Sequence, residues 1–64
     1  MYWEINFDTD AGEQKQTYRD TWKETVAYFS ELVTNREIAK VDVIAYWDNG
    51  QIVYDGEPVL TYRP

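Results

Sequence analysis

Asp20-Thr21-Trp22-Lys23-Glu24-Thr25-Val26-Ala27-Tyr28-Phe29-Ser30-Glu31-Leu32-Val33-Thr34-Asn35 is the one stretch of this 64-residue chain with sustained helical periodicity. At 100° per residue, Trp22, Val26, Phe29 and Val33 share a narrow arc, with Leu32 on its shoulder. Lys23, Glu24, Ala27, Glu31 and Thr34 fall on the opposite side. Thr21 and Glu24 have the spacing of a capping box. Asn35, a residue that tolerates the left-handed conformation, marks the stop. The pattern predicts a helix over about residues 21–34 that buries Trp22, Val26, Phe29 and Val33.

On either side of the helix the period changes to two. In residues 2–8, Trp3, Ile5 and Phe7 alternate with Tyr2, Glu4, Asn6 and Asp8, as in a half-buried strand. Thr9-Asp10-Ala11-Gly12 reads as a turn. Residues 13–19 read as a polar return strand suited to a sheet edge, with Tyr18 toward the core; a loop is the alternative. Ile38 is expected to dock on the core from the loop after the helix. Residues 40–47 alternate again, with Val41, Val43, Ala45 and Trp47 on the core side. Asn49-Gly50 is a strong hairpin signal. Taken as a two-residue turn, it pairs Trp47 with Ile52 and Tyr46 with Val53. Ile52 and Tyr54 then face inward, and Val53 and Asp55 outward. Val59-Leu60-Thr61-Tyr62 reads as a short last edge strand or an ordered tail.

A helix of about 14 residues spans roughly 21 Å, and seven strand residues roughly 23 Å. One helix can therefore cross the sheet once and return the chain to its starting edge. The expected fold is a single α+β domain over residues 1–64. Its plan is ββαββ, an antiparallel sheet of order 2-1-3-4 with one helix on one face. The runner-up is βαββ, with residues 10–19 as a loop.

Composition narrows the function. Twelve acidic and six basic residues give a net charge of −6, which disfavours direct nucleic-acid binding and anionic membranes and favours a basic protein partner. No apolar run approaches the ~20 residues of a membrane span, and the first residues do not read as a signal peptide. The lack of cysteine fits a cytoplasmic protein. With no histidine, no cysteine and one serine inside the helix, nucleophile–base pairs of the usual kinds cannot be assembled, and no enzyme or cofactor is expected. Asp8-x-Asp10-x-Gly12-Glu13 faintly resembles a calcium loop. Its glycine is one position early, and Arg19 stands where a bidentate glutamate is required, so no metal site is expected.

Two surfaces remain as candidates. Tyr2, Ile44, Tyr46 and Val53 should project from the sheet face that the helix leaves bare, rimmed by Asp42, Asp48 and Asp55. Such a patch suits a protein partner or a second copy of the chain. The three tryptophans and the helix stripe read as core. Asp8, Asp10, Glu13, Glu37, Asp55 and Glu57 are expected to gather at one end. An acidic rim there could mimic nucleic-acid phosphates and block a DNA- or RNA-binding protein; solvated turns are the plainer reading. The leading function is a small non-enzymatic interaction module, with homodimerisation as one form and the acidic mimic as the alternative.

Overall fold

Thr21 starts the helix as its spacing requires. In the computed structural model, which describes Met1–Pro64, the Thr21 hydroxyl accepts from the Glu24 backbone N–H at 3.1 Å and donates to the Glu24 carboxylate at 2.9 Å. Helix α1 covers Trp22–Thr34. Its end differs from expectation. Asn35 is extended, its N–H bonds the Leu32 carbonyl, and its side-chain carbonyl accepts from the Glu37 N–H at 2.9 Å. An Asx turn terminates the helix where a left-handed cap was expected.

The strands are β1 (Tyr2–Thr9), β2 (Gln14–Arg19), β3 (Ile38–Tyr46) and β4 (Leu60–Tyr62). They form one antiparallel sheet of order β2-β1-β3-β4, the expected ββαββ fold. Residues 14–19 are a true strand, paired from Trp3↔Arg19 to Asp8↔Gln14, which removes the βαββ alternative. Ile38 is not in a loop: it opens β3 opposite Thr9, beside a register shift between Asp8 and Thr9.

Both tight turns are built alike. In the first, the Gly12 N–H bonds the Thr9 carbonyl and the Thr9 N–H bonds the Glu13 carbonyl. In the second, the Gly50 N–H bonds the Trp47 carbonyl and the Trp47 N–H bonds the Gln51 carbonyl. Gly12 and Gly50 have φ of 84° and 87°, the left-handed residue that closes a three-residue loop. Three loop residues, not two, move the register by one, and a one-residue slip exchanges the faces of a strand. Trp47 therefore pairs with Gln51 and Tyr46 with Ile52. Val53 turns inward and is only 7% exposed, while Ile52 turns outward and is 52% exposed. The same geometry puts Tyr18 opposite Glu4 on the bare face, with Lys15, Thr17 and Arg19 on the helix side.

The fourth strand comes in two pieces along the free edge of β3. Val53 donates to the Ala45 carbonyl, and Val59 resumes the ladder by donating to the Val43 carbonyl. Between them Tyr54, Asp55 and Gly56 take φ of 55°, 54° and 83°. Left-handed conformation costs a non-glycine residue about 1–2 kcal/mol, so this excursion is strained at two positions.

Ile5, Phe7, Leu32, Ile38, Val41 and Val43 form the core. The helix presents a different stripe from the expected one. Thr25 and Leu32 are buried, Tyr28 and Phe29 partly so, while Trp22 is 45% exposed and Val26 is also exposed. The inward arc is turned by roughly 80° at 100° per residue. Two side chains account for the turn. Thr25 is fully buried with its hydroxyl donating to the Thr21 carbonyl at 2.8 Å, so it packs as an apolar residue. Tyr28 meets Phe7 edge-on at 6.2 Å and carries the Arg19 guanidinium 4.3 Å above its ring. That pair closes the β2 side of the core.

Candidate functional site

The helix covers one face of the sheet, and no element covers the other. Alternation along β1 sends Tyr2, Glu4, Asn6 and Asp8 to the bare face. The register adds Tyr18 and Gln16 from β2 and Ile44 and Tyr46 from β3. Ile52, bridged to Tyr46, extends the surface. Tyr2, Ile44 and Tyr46 thus lie where the sequence places them. Val53 does not: the three-residue turn sends it into the core, and Ile52 stands in its place.

Tyr2 and Tyr46 stack with ring centroids 5.3 Å apart and planes within 10°. Tyr18 leans on Tyr2 at 6.0 Å. Glu4 lies among them. Its carboxylate accepts from the Tyr18 hydroxyl at 3.0 Å, the Tyr46 hydroxyl at 3.4 Å and the Asn6 amide at 2.8 Å. Gln16 donates to the Asn6 carbonyl at 2.9 Å, which ties β2 to β1. The hydrogen bond to Glu4 pushes the Tyr18 phenol above its ordinary value, with loss of solvent and the Glu4 charge adding to it. For Tyr46, loss of solvent is the first cause of an upward shift and the Glu4 carboxylate the second. Both phenols stay neutral around the anion, as hydrogen-bond donors must.

Farther along the same face, Asp42 anchors the chain end. It accepts from the Thr61 hydroxyl at 2.8 Å and takes both arms of the Arg63 guanidinium at 3.1 and 3.2 Å. The Lys40 ammonium is 3.6 Å away. Partial burial opposes the Asp42 charge, but Thr61, Arg63 and Lys40 together outweigh it and hold the carboxyl below its usual range.

The acidic residues do not form one rim. Asp10 and Glu37 are joined through the backbone, N–H to carbonyl at 2.8 Å, and Glu13 closes the adjoining turn. These three share a depression with Lys15. Asp8 lies beside Lys40 on the bare face. Asp55 and Glu57 ride on the excursion, which leaves and rejoins β3 between Ala45 and Val43. That is about four residues, or roughly 13 Å, along the strands from the first turn. No cluster of acidic side chains is arranged to hold a metal ion, and no helix is long and apolar enough to cross a membrane.

A second apolar surface was not expected. Trp47, read as core, lies beyond the end of β3 and is 49% exposed. Trp22 packs on Trp3 at 5.7 Å with much of its ring in solvent. Met1 is also exposed, its amine paired with Asp48 at 2.6 Å. Glu4 follows from alternation along β1 but is not singled out by the sequence; Tyr18 and Ile52 are the residues of the sheet face that it misplaces. The signal for them was the left-handed glycine in Thr9-Asp10-Ala11-Gly12-Glu13 and again in Trp47-Asp48-Asn49-Gly50-Gln51, since that turn fixes both registers.

These features define a small acidic α+β domain with a helix-backed sheet and a tyrosine-lined free face. No protein-family model matches the chain, and no curated protein and no solved structure matches it.

Proposed function

We propose that this chain is a non-enzymatic protein-interaction module that binds its partner through the uncovered sheet face. The observation that carries the reading is the arrangement of Tyr2, Tyr18 and Tyr46 around Glu4 on a face with no covering element. Large aromatics with few rotatable bonds, held by stacking and hydrogen bonds, lose little entropy on binding. Ile44 and Ile52 supply apolar area beside them. The net charge of −6 favours a basic partner, and the cytoplasm is the setting proposed for a cysteine-free chain. A homodimer centred on the tyrosines would bring two Glu4 carboxylates together, so a foreign protein suits the face better than a second copy. The acidic-mimic alternative draws less support from carboxylates dispersed over three places.

A second reading rests on the exposure of Met1, Trp22 and Trp47, which offers an apolar docking surface at the end of the domain. Photo-crosslinking in source cells separates the two. A photoreactive residue at position 44 should capture a partner, and one at position 22 or 27 should not. Capture from 22 alone moves the site to the tryptophan end. Capture of a second copy from 44 establishes the homodimer.

A further inference from the structure

We infer that the sheet face receives an arginine of a basic partner, its guanidinium laid on the tyrosine surface and hydrogen-bonded to Glu4. The inference rests on the sheet-face reading and names the chemistry of its partner. Glu4 is partly buried, sits in the middle of the face and has no cation of its own. The chain's ion pairs are Met1–Asp48, Lys15–Glu13, Lys40–Asp42 and Arg63–Asp42. Asp42, two β3 positions from Ile44 on the same face, has two cations. Glu4 has only the neutral donors Asn6, Tyr18 and Tyr46. Neutral donors orient a carboxylate without cancelling its charge, and an anion held among aromatic rings attracts a cation that can also lie on a ring face.

A guanidinium meets both demands better than an ammonium. It is planar, weakly hydrated and able to stack on a ring while donating hydrogen bonds in its own plane. The domain uses the stacking half of this arrangement on its other face, where Arg19 lies over Tyr28 at 4.3 Å. The overall negative charge adds long-range attraction for the same partner.

The test is an NMR titration of the full chain, at low salt, with two blocked pentapeptides: Gly-Arg-Gly-Arg-Gly and its lysine counterpart. The arginine peptide should shift the amides of Glu4, Tyr18, Ile44 and Tyr46 and bind about tenfold more tightly than the lysine peptide. Glu4→Gln keeps an acceptor for the tyrosines and should weaken arginine-peptide binding about tenfold. Glu37→Gln removes the same charge from the first-turn end and should change it less than about twofold. Equal binding of the two peptides, equal effects of the two substitutions, or shifts centred away from Glu4 would each overturn the inference. If any of these occurs while position 44 still captures a protein partner, the binding face stands and only the arginine assignment falls.

Discussion

Residues four and five of the same strand have opposite surroundings. Ile5 points under the helix and, with Val41 and Val43, is fully buried. Glu4 points the other way, into a frame of tyrosine hydroxyls and an asparagine amide. The inner face is held by apolar area, which is non-directional. The outer face is held by stacking and hydrogen bonds, which fix angles. Folding needs the first kind of surface. The second kind adds little to the core and keeps three aromatic rings in place beside solvent, as a binding surface requires.

The sharpest way to break this contrast is to truncate one isoleucine on each face. Ile5→Ala should cost about 2–5 kcal/mol, a large part of the stability of so small a domain. Ile44→Ala, partly exposed on the bare face, should cost less than about 1 kcal/mol. Urea unfolding measures both; equal losses would mean that the outer face is a core as well. Gly50→Ala should come next, at about 1–2 kcal/mol, because φ of 87° is strained for any side chain whatever the space around it. A variant as stable as the parent would show that the three-residue loop, and with it the outward placement of Ile52, is wrong.

Acid should loosen the outer face at Asp42. Its folded pKa lies below the unfolded value, so its contribution is present above the usual carboxylate pKa of about 4 and is lost as pH falls through the lower folded value. Arg63→Ala should therefore flatten the decline in urea midpoint below about pH 4, with little effect on slopes above pH 5. Alkali gives the opposite sign at Tyr18 and Tyr46. Their raised folded values mean a contribution present below about pH 10 and lost as pH rises through the folded values. Glu4→Gln should bring both phenols back toward ordinary values, read from the tyrosine ring carbons by NMR. Unchanged titrations would remove Glu4 from the centre of the tyrosine group.

The fold was legible because its signals are local: two alternating strands, one capped helix and lengths that allow a single crossing. The site was half legible. Tyr2, Ile44 and Tyr46 follow from alternation within strands whose facing is set by Ile5 and Val43. Tyr18, Ile52 and Val53 depend on the turns, where one residue of loop length decides the face. Reading Asn49-Gly50 as the whole turn sent Val53 outward; including Asp48 sends it in. The helix stripe misled for a different reason. Periodicity scores threonine as polar, and Thr25 silences its hydroxyl on the Thr21 carbonyl and enters the core. The helix stripe places Trp22 in the core and strand alternation places Trp47 there, yet the sheet and helix end before either can be covered. The acidic residues were gathered by assuming a short last turn, and the left-handed excursion at Tyr54–Gly56 carries two of them elsewhere.

The central claim is that the bare sheet face is spare for folding and required for binding. Ile52→Lys tests it most directly, placing a cation on that face without touching the core. The thermal midpoint should stay within a few degrees of the parent, as for an exposed substitution worth about 0.5 kcal/mol or less. Partner capture from position 44 in source cells should be lost. Undiminished capture by a well-folded Ile52→Lys protein would contradict the account.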